Sequence, residues 1–160
     1  MLSDVQSFNS FSIPRVAQLS QRSNQFNLRT VRYTEKDIKR ITASEHYITF
    51  SFTLEDKYGD HGLICAIILE EQKPKELFIG TWFMSCRVLK RGMENFVLNT
   101  IVNYARDKGY QTIVGEYLPT AKNALVKDHY SNLSFTKDGS LWGLEVATYH
   151  SKKCFINTKE

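Results

Sequence analysis

Three cysteines, Cys65, Cys86 and Cys154, occur among 160 residues. That odd number argues against a closed disulfide framework and predicts reduced thiols. No grouping of His, Cys, Asp and Glu has metal-ligand spacing, so no metal is expected. No apolar run approaches the roughly 18 residues that cross a bilayer. The stretch Met1-Leu2-Ser3-Asp4-Val5-Gln6 lacks the basic and apolar regions of a signal peptide. Together these absences predict a soluble protein of the cytoplasm with no membrane partner. The positive residues are scattered, and no basic stripe with interleaved aromatics marks a nucleic-acid face. With 21 Lys and Arg against 17 Asp and Glu, the net charge of +4 supports only a weak attraction to phosphates or acidic partners.

What is present suits one globular domain: 42% of residues are hydrophobic and 24% charged. Residues 1–13 are polar, Ser/Asn-rich and without clear periodicity, and are expected to be a flexible lead-in. Residues 14–150 are expected to form the domain and residues 151–160 a C-terminal tail. Pro14, just after Ser12, suits the first turn of a helix. Residues 30–33 alternate like a short strand, and Thr34-Glu35-Lys36-Asp37 has the form of a capping box before a helix carrying Ile38 and Ile41. Three strand-like runs follow at 46–54, 63–69 and 77–89, with turn chemistry at 57–62 and 73–75. The third is long enough to bend at a bulge.

Residues 92–108 read as a helix, because Met93, Phe96, Val97, Ile101, Tyr104 and Ala105 recur at three- and four-residue spacing before Gly109. A short strand over 112–117, a helix from Thr120 to Tyr130 and a hairpin of 134–137 with 141–148 complete the order.

A strand feeding a helix through a small residue makes an anion site. The first helical N–H groups have no intrahelical partners, and the helix dipole adds positive potential there. In Arg87-Val88-Leu89-Lys90-Arg91-Gly92-Met93-Glu94, Gly92 permits close backbone approach, and Arg87, Lys90 and Arg91 add charge. On the plainer reading Gly92 only eases a turn and the bases are solvated.

The succession Cys86-Arg87-Val88-Leu89-Lys90-Arg91-Gly92-Met93-Glu94, the downstream Asn123, and Tyr130 with Phe135 resemble the acyl-CoA motif of the GNAT superfamily. The chain is also similar to the C-terminal domain of FkbH-like proteins, in Arg15-Val16-Ala17-Gln18-Leu19, Asn24-Gln25-Phe26-Asn27, Arg32-Tyr33-Thr34, Tyr58-Gly59-Asp60, Ser85-Cys86-Arg87-Val88-Leu89 and Pro119-Thr120-Ala121-Lys122-Asn123. This resemblance spans about residues 14–148. It implies an α/β (α+β) fold of the acyl-CoA N-acyltransferase type, with a mixed, mostly antiparallel sheet flanked by helices.

The implied activity is transfer of a glyceryl unit, handled as a pantetheine thioester, to an acyl carrier protein in polyketide extender-unit biosynthesis of the methoxymalonyl type. The implied partners are that carrier protein and a HAD-type phosphatase-like domain, whose Asp-x-Asp-x-Thr motif this chain lacks. GNAT acetyltransferases usually show Gln/Arg-x-x-Gly-x-Gly/Ala at the turn. Here Lys90 or Glu94 breaks that pattern, depending on alignment, so a single-phosphate phosphopantetheine arm fits better than full coenzyme A.

The resemblance also implies roles. Arg87, Val88, Lys90, Arg91, Gly92, Met93 and Glu94 make up the cofactor-binding turn, whose Arg91–Met93 part holds the phosphate while the Glu94 carboxylate competes with it. Asn123 hydrogen-bonds the arm's amide, and Tyr130 protonates the departing thiolate. Their plainer readings are a local cap for Asn123 and a packed core ring for Tyr130. Cys86 is a candidate acyl-holding thiol or an inert packing residue. Glu116, ending its strand, is a candidate general base or a solvated carboxylate. Asn24, Gln25, Phe26 and Asn27 are a candidate acyl-recognition edge or a helix end. His129 and His61 are expected to be solvated. The rival functions are a catalytically silent docking module and a small-molecule N-acetyltransferase using acetyl-CoA.

Overall fold

The structure, a computed structural model, describes residues 1–23, 26–29, 31–85, 88 and 92–159. Two short strands come first, β1 (Leu2–Ser3) and β2 (Val5–Gln6), then α1 (Ser12–Arg22) and α2 (Glu35–Ala43). A meander follows: β3 (Tyr47–Asp56), β4 (Gly59–Lys73) and β5 (Glu76–Met84). Then come α3 (Met93–Asp107), β6 (Thr112–Glu116), α4 (His129–Asn132), β7 (Thr136–Asp138), β8 (Leu141–Glu145) and β9 (Asn157–Thr158). The strands form one mixed sheet in the order β7-β8-β6-β5-β4-β3-β1-β9, with β2 also on β3. Among the described residues no helix is long and apolar enough to cross a membrane.

Local chemistry explains most elements. Thr34 and Asp37 close the expected capping box: Asp37 N–H donates to Thr34 Oγ1 at 3.1 Å and Thr34 N–H to Asp37 Oδ2 at 3.0 Å. α1 and α2 lay Ile13, Val16, Ile38 and Ile41 against Ala66, Ile68 and Phe83 on one face of the sheet. α3 buries Met93, Val97, Leu98, Ile101, Val102 and Ala105 on the other. The expected bulge in the third long strand is present. Ile68 pairs with Thr81 and Leu69 with Ile79, leaving Gly80 outside the ladder.

Four expectations are corrected. Residues 1–13 are no loose lead-in, because β1 and β2 pair antiparallel with β3 and Ser12 already opens α1. The 151–160 stretch is tied down as well: Asn99 Nδ2 donates to Lys152 O at 2.8 Å, Lys152 N–H returns to Asn99 Oδ1 at 2.8 Å, and β9 lies parallel to β1. Val31, Arg32 and Tyr33 form no strand, because Arg32 Nη1 donates to Ser20 O at 2.6 Å and ties this segment to the end of α1. The expected 120–130 helix is only a 3-10 turn, Ala124–Val126, followed by the four-residue α4. Asn123 Oδ1 takes the Thr120 N–H at 2.7 Å, which bends the chain before a longer helix can start.

Candidate active site

β5 and β6 run parallel, but they pair only from Glu76, Leu77 and Phe78 to Thr112, Ile113 and Val114. Beyond that they separate, and residues 26–29 enter between them. Asn27 bridges to Phe83, Met84 N–H donates to Phe26 O at 3.4 Å, and Leu118 N–H donates to Leu28 O at 2.8 Å. Arg29 spans the same opening, with Nη1 donating to Gly80 O at 2.7 Å and Nε to Glu116 Oε1 at 3.1 Å. Its guanidinium also lies over the Phe78 ring, 5.1 Å from the centroid.

Tyr130 reaches the diverged part of β6 because residue 115 is glycine. A Cβ there would stand 2.6 Å from the Tyr130 hydroxyl oxygen and closer still to its ring. The tyrosine is 2% exposed, and its hydroxyl has no hydrogen-bond partner. Burial pushes the phenol pKa up, Arg29 opposes this, and the Glu116 charge adds to it. The group therefore keeps its proton at neutral pH.

Beside it His129 is buried, not solvated as expected, and its Nε2 is unpartnered. Trp82 packs edge-on against it at 4.3 Å and Phe26 at 5.0 Å. The Trp82 indole N–H also lacks an oxygen or nitrogen partner. It lies close enough to Cys65 to oppose the upward shift that burial and Glu94 impose on that thiol. A cavity of about 190 Å³ opens between the first turn of α3 and α4, lined by Phe26, Glu94, Asn95, Leu125, Val126, His129, Asn132 and Leu133.

Desolvation lowers the His129 pKa to about 3, against 6.5 for a free imidazole. The unfolded chain therefore takes up a proton below pH 6.5 that the folded chain refuses until about 3. This contribution to stability is complete above pH 6.5 and shrinks as the pH falls, by up to about 1.4 kcal/mol per pH unit. Urea unfolding between pH 7 and pH 4 should show that slope in the wild type and a shallower one in His129→Gln.

The remaining expected residues divide clearly. Gly92 sits at the start of α3 with φ +87°, a conformation that suits glycine, and its carbonyl accepts the Phe96 N–H at 3.1 Å. Val88 and Met93 are buried, and Glu94 borders the cavity. Cys86, Arg87, Lys90 and Arg91 lie outside the described residues, as do Asn24 and Gln25. Phe26 is in the site, whereas Asn27 turns its amide back onto Ser23 O and Val31 O.

Asn123 is fully buried with its amide committed. Nδ2 donates to Asn27 O at 3.0 Å and Leu118 O at 2.9 Å, while Oδ1 accepts from Thr120 N–H and from the Tyr117 hydroxyl at 3.3 Å. It ties residues 26–29 to the loop after β6 and has no donor left for an arm, which corrects its expected amide-binding role. Glu116 is neither free nor fully solvated, because Arg29 holds it. Sequence reasoning missed Trp82, His129, Arg29 and Gly115. Of these only Gly115, a glycine inside a strand, carried a local signal of close approach.

No protein-family model matches the chain, and no match was found among curated proteins. Solved structures do match over nearly its whole length. The ribosomal-protein-S18-alanine N-acetyltransferase from Escherichia coli superposes with a TM-score of 0.69 at 15% identity, covering 96% of this chain and 99% of that one. The GNAT domain of S. lividans PAT gives 0.65 at 15%, covering 88% and 89%. A point mutant of the spermidine N-acetyltransferase SpeG from Vibrio cholerae gives 0.67 at 11%, covering 91% and 94%. At such identities the likeness speaks for architecture alone, and that architecture is the GNAT N-acetyltransferase fold.

Proposed function

We propose that this chain transfers an acyl group from a pantetheine thioester to a nucleophilic acceptor. One observation carries the reading: a buried, protonated and unpartnered Tyr130 hydroxyl stands over Gly115, where β5 and β6 have parted. The nearby cavity, walled by Phe26, Leu125, Val126 and Leu133 with Glu94, Asn95 and Asn132 at its polar side, offers mostly apolar room for a pantetheine arm.

The thioester supplies an acyl carbon open to attack and a sulfur leaving group. The acceptor forms the bond to the acyl carbon, and Tyr130 gives its proton to the sulfur as the carbon–sulfur bond breaks. The proton the acceptor loses passes to solvent, from which Tyr130 is reprotonated. Glu116 is the carboxylate whose charge reaches Tyr130, and Arg29 sets its orientation. The first N–H groups of α3, beginning at Gly92, are oriented for a phosphate. Whether Cys86 holds the acyl group in passing belongs to the same proposal.

The resemblance of its motifs to FkbH-like domains is the ground for proposing a glyceryl unit as the acyl group, an acyl carrier protein in the cytoplasm as the partner, and a HAD-type phosphatase-like domain acting alongside. The second reading, acetyl-CoA-dependent acetylation of a small amine, is supported by the N-acetyltransferases that share the fold. Incubation with a glyceryl-loaded carrier protein, and separately with acetyl-CoA and amines, followed by mass spectrometry, separates the two. Docking without transfer to any acceptor would favour a silent module.

Tyr130→Phe should lower kcat roughly 10²-fold with little change in KM. It should not lower the melting temperature, because the hydroxyl has no partner to lose. Unchanged turnover would remove Tyr130 from the mechanism.

A further inference from the structure

Most arginines of the described residues have their guanidinium engaged. Glu116 holds Arg29, Ser20 O holds Arg32, Asp37 holds Arg40, and Val146 O and Tyr149 O hold Arg106. Arg15 and Arg22 have no such partner among the described residues, and both line one cavity. This cavity, of about 630 Å³, opens between α1, the start of β4 and the end of β5. It shares no lining residue with the cavity beside α3, and among the described residues no carboxylate lines it. Asp56, which fixes His61 at the cavity wall, is already committed. Its side chain is 4% exposed, and its carboxylate takes the His61 Nε2–H at 3.1 Å and the Tyr58 N–H at 2.8 Å. Two guanidiniums without a counter-charge give the cavity a positive potential that an anion relieves.

We propose that this cavity binds an aliphatic dicarboxylate, one carboxylate on each arginine. A guanidinium is a planar fork of N–H donors that matches a carboxylate in two parallel hydrogen bonds. Residues 15 and 22 are seven apart on α1, which places them on the same side of the helix about 10 Å apart along its axis. Two anionic groups held apart therefore suit the pair better than one compact anion. The rest of the wall includes Leu19, Leu63 and Met84, which suits a hydrocarbon link between the carboxylates. The site is separate from the proposed acyl transfer and does not depend on it.

Calorimetry at low salt with succinate, adipate and suberate tests this, because the three differ in the separation of their carboxylates. At least one should bind wild type roughly tenfold more tightly than hexanoate, which has one carboxylate, or inorganic phosphate, which is compact. Arg15→Gln and Arg22→Gln should each abolish that preference. Neither should lower the melting temperature, because neither loses a partner among the described residues. Lys39→Gln, which removes an exposed charge on α2 outside the cavity, should leave the preference intact.

A preference that survives both arginine variants overturns the proposal, as does wild type that binds all these anions alike or none of them. Loss of the preference in Lys39→Gln also overturns it, because net charge rather than the cavity would then be responsible. If an arginine variant melts early, the NMR shifts of the Arg15 and Arg22 guanidinium N–H groups in wild type decide. Movement on adding the dicarboxylate supports the contact, and no movement rejects it.

Discussion

Alanine at position 115 should cost this protein both stability and turnover. The added Cβ would fall 2.6 Å from the Tyr130 hydroxyl oxygen and into its ring, which is buried. Relief requires Tyr130 to leave the β6 face or the strand to move away from it. Overpacking of this kind costs about 1–3 kcal/mol. Because Tyr130 also loses its place at the leaving group, turnover should fall at least as far as in Tyr130→Phe, roughly 10²-fold.

Urea melts and steady-state kinetics check the two halves separately. A double variant makes the test specific: Tyr130→Leu should restore much of the stability lost in Gly115→Ala, because the two changes act on one contact. If Gly115→Ala melts and turns over like wild type, the ring does not lie where the structure puts it.

The second large effect is expected at Asn123. Leucine of similar volume would keep the packing but remove every hydrogen bond the amide makes. Asn27 O, Leu118 O and Thr120 N–H would be left without these bonds in or beside the interior. The Asn27 O bond is buried and the other two are partly so, and losing them costs about 1–3 kcal/mol. For a chain of this length that corresponds to roughly a 5 °C loss of melting temperature.

The damage should also spread, because Asn123 fastens residues 26–29 across the opening between β5 and β6. Thr120→Ala, which removes only a hydroxyl that accepts from Lys122 and Asn123 N–H, should cost far less. Calorimetry of both variants decides the matter. Equal melting temperatures would mean that the buried amide is not the tie.

What could be read before folding was local. The periodicity of α3, the Thr34–Asp37 capping box and a third long strand with room for a bulge all depend on neighbours a few residues apart, so composition and spacing reveal them. The misread parts depend on distant partners. Val31, Arg32 and Tyr33 alternate like a strand, yet Arg32 reaches Ser20 O, and no propensity encodes that contact. Residues 120–130 have helical character that a single buried amide overrides.

The site behaves the same way. Motif resemblance marked Tyr130, but its burial comes from a missing side chain at Gly115. His129 looked solvated because nothing in its own neighbourhood reveals that Trp82 and Phe26 enclose it.

The edge strands β1 and β9 carry a consequence for the order of assembly. The Met1 ammonium donates to Phe155 O across 154 positions of sequence, Asn157 N–H donates to Met1 O, and Leu2 pairs with Asn157. Closing so long a loop has an entropic cost for few contacts, and Asn157 and Thr158 follow every other strand in the sequence. The β3–β4–β5 meander and α3 can form while the chain is still emerging. The outer edge of the sheet can be sealed only afterwards. It is therefore the last part to assemble and, with few buried contacts to hold it, the first place where the folded chain opens.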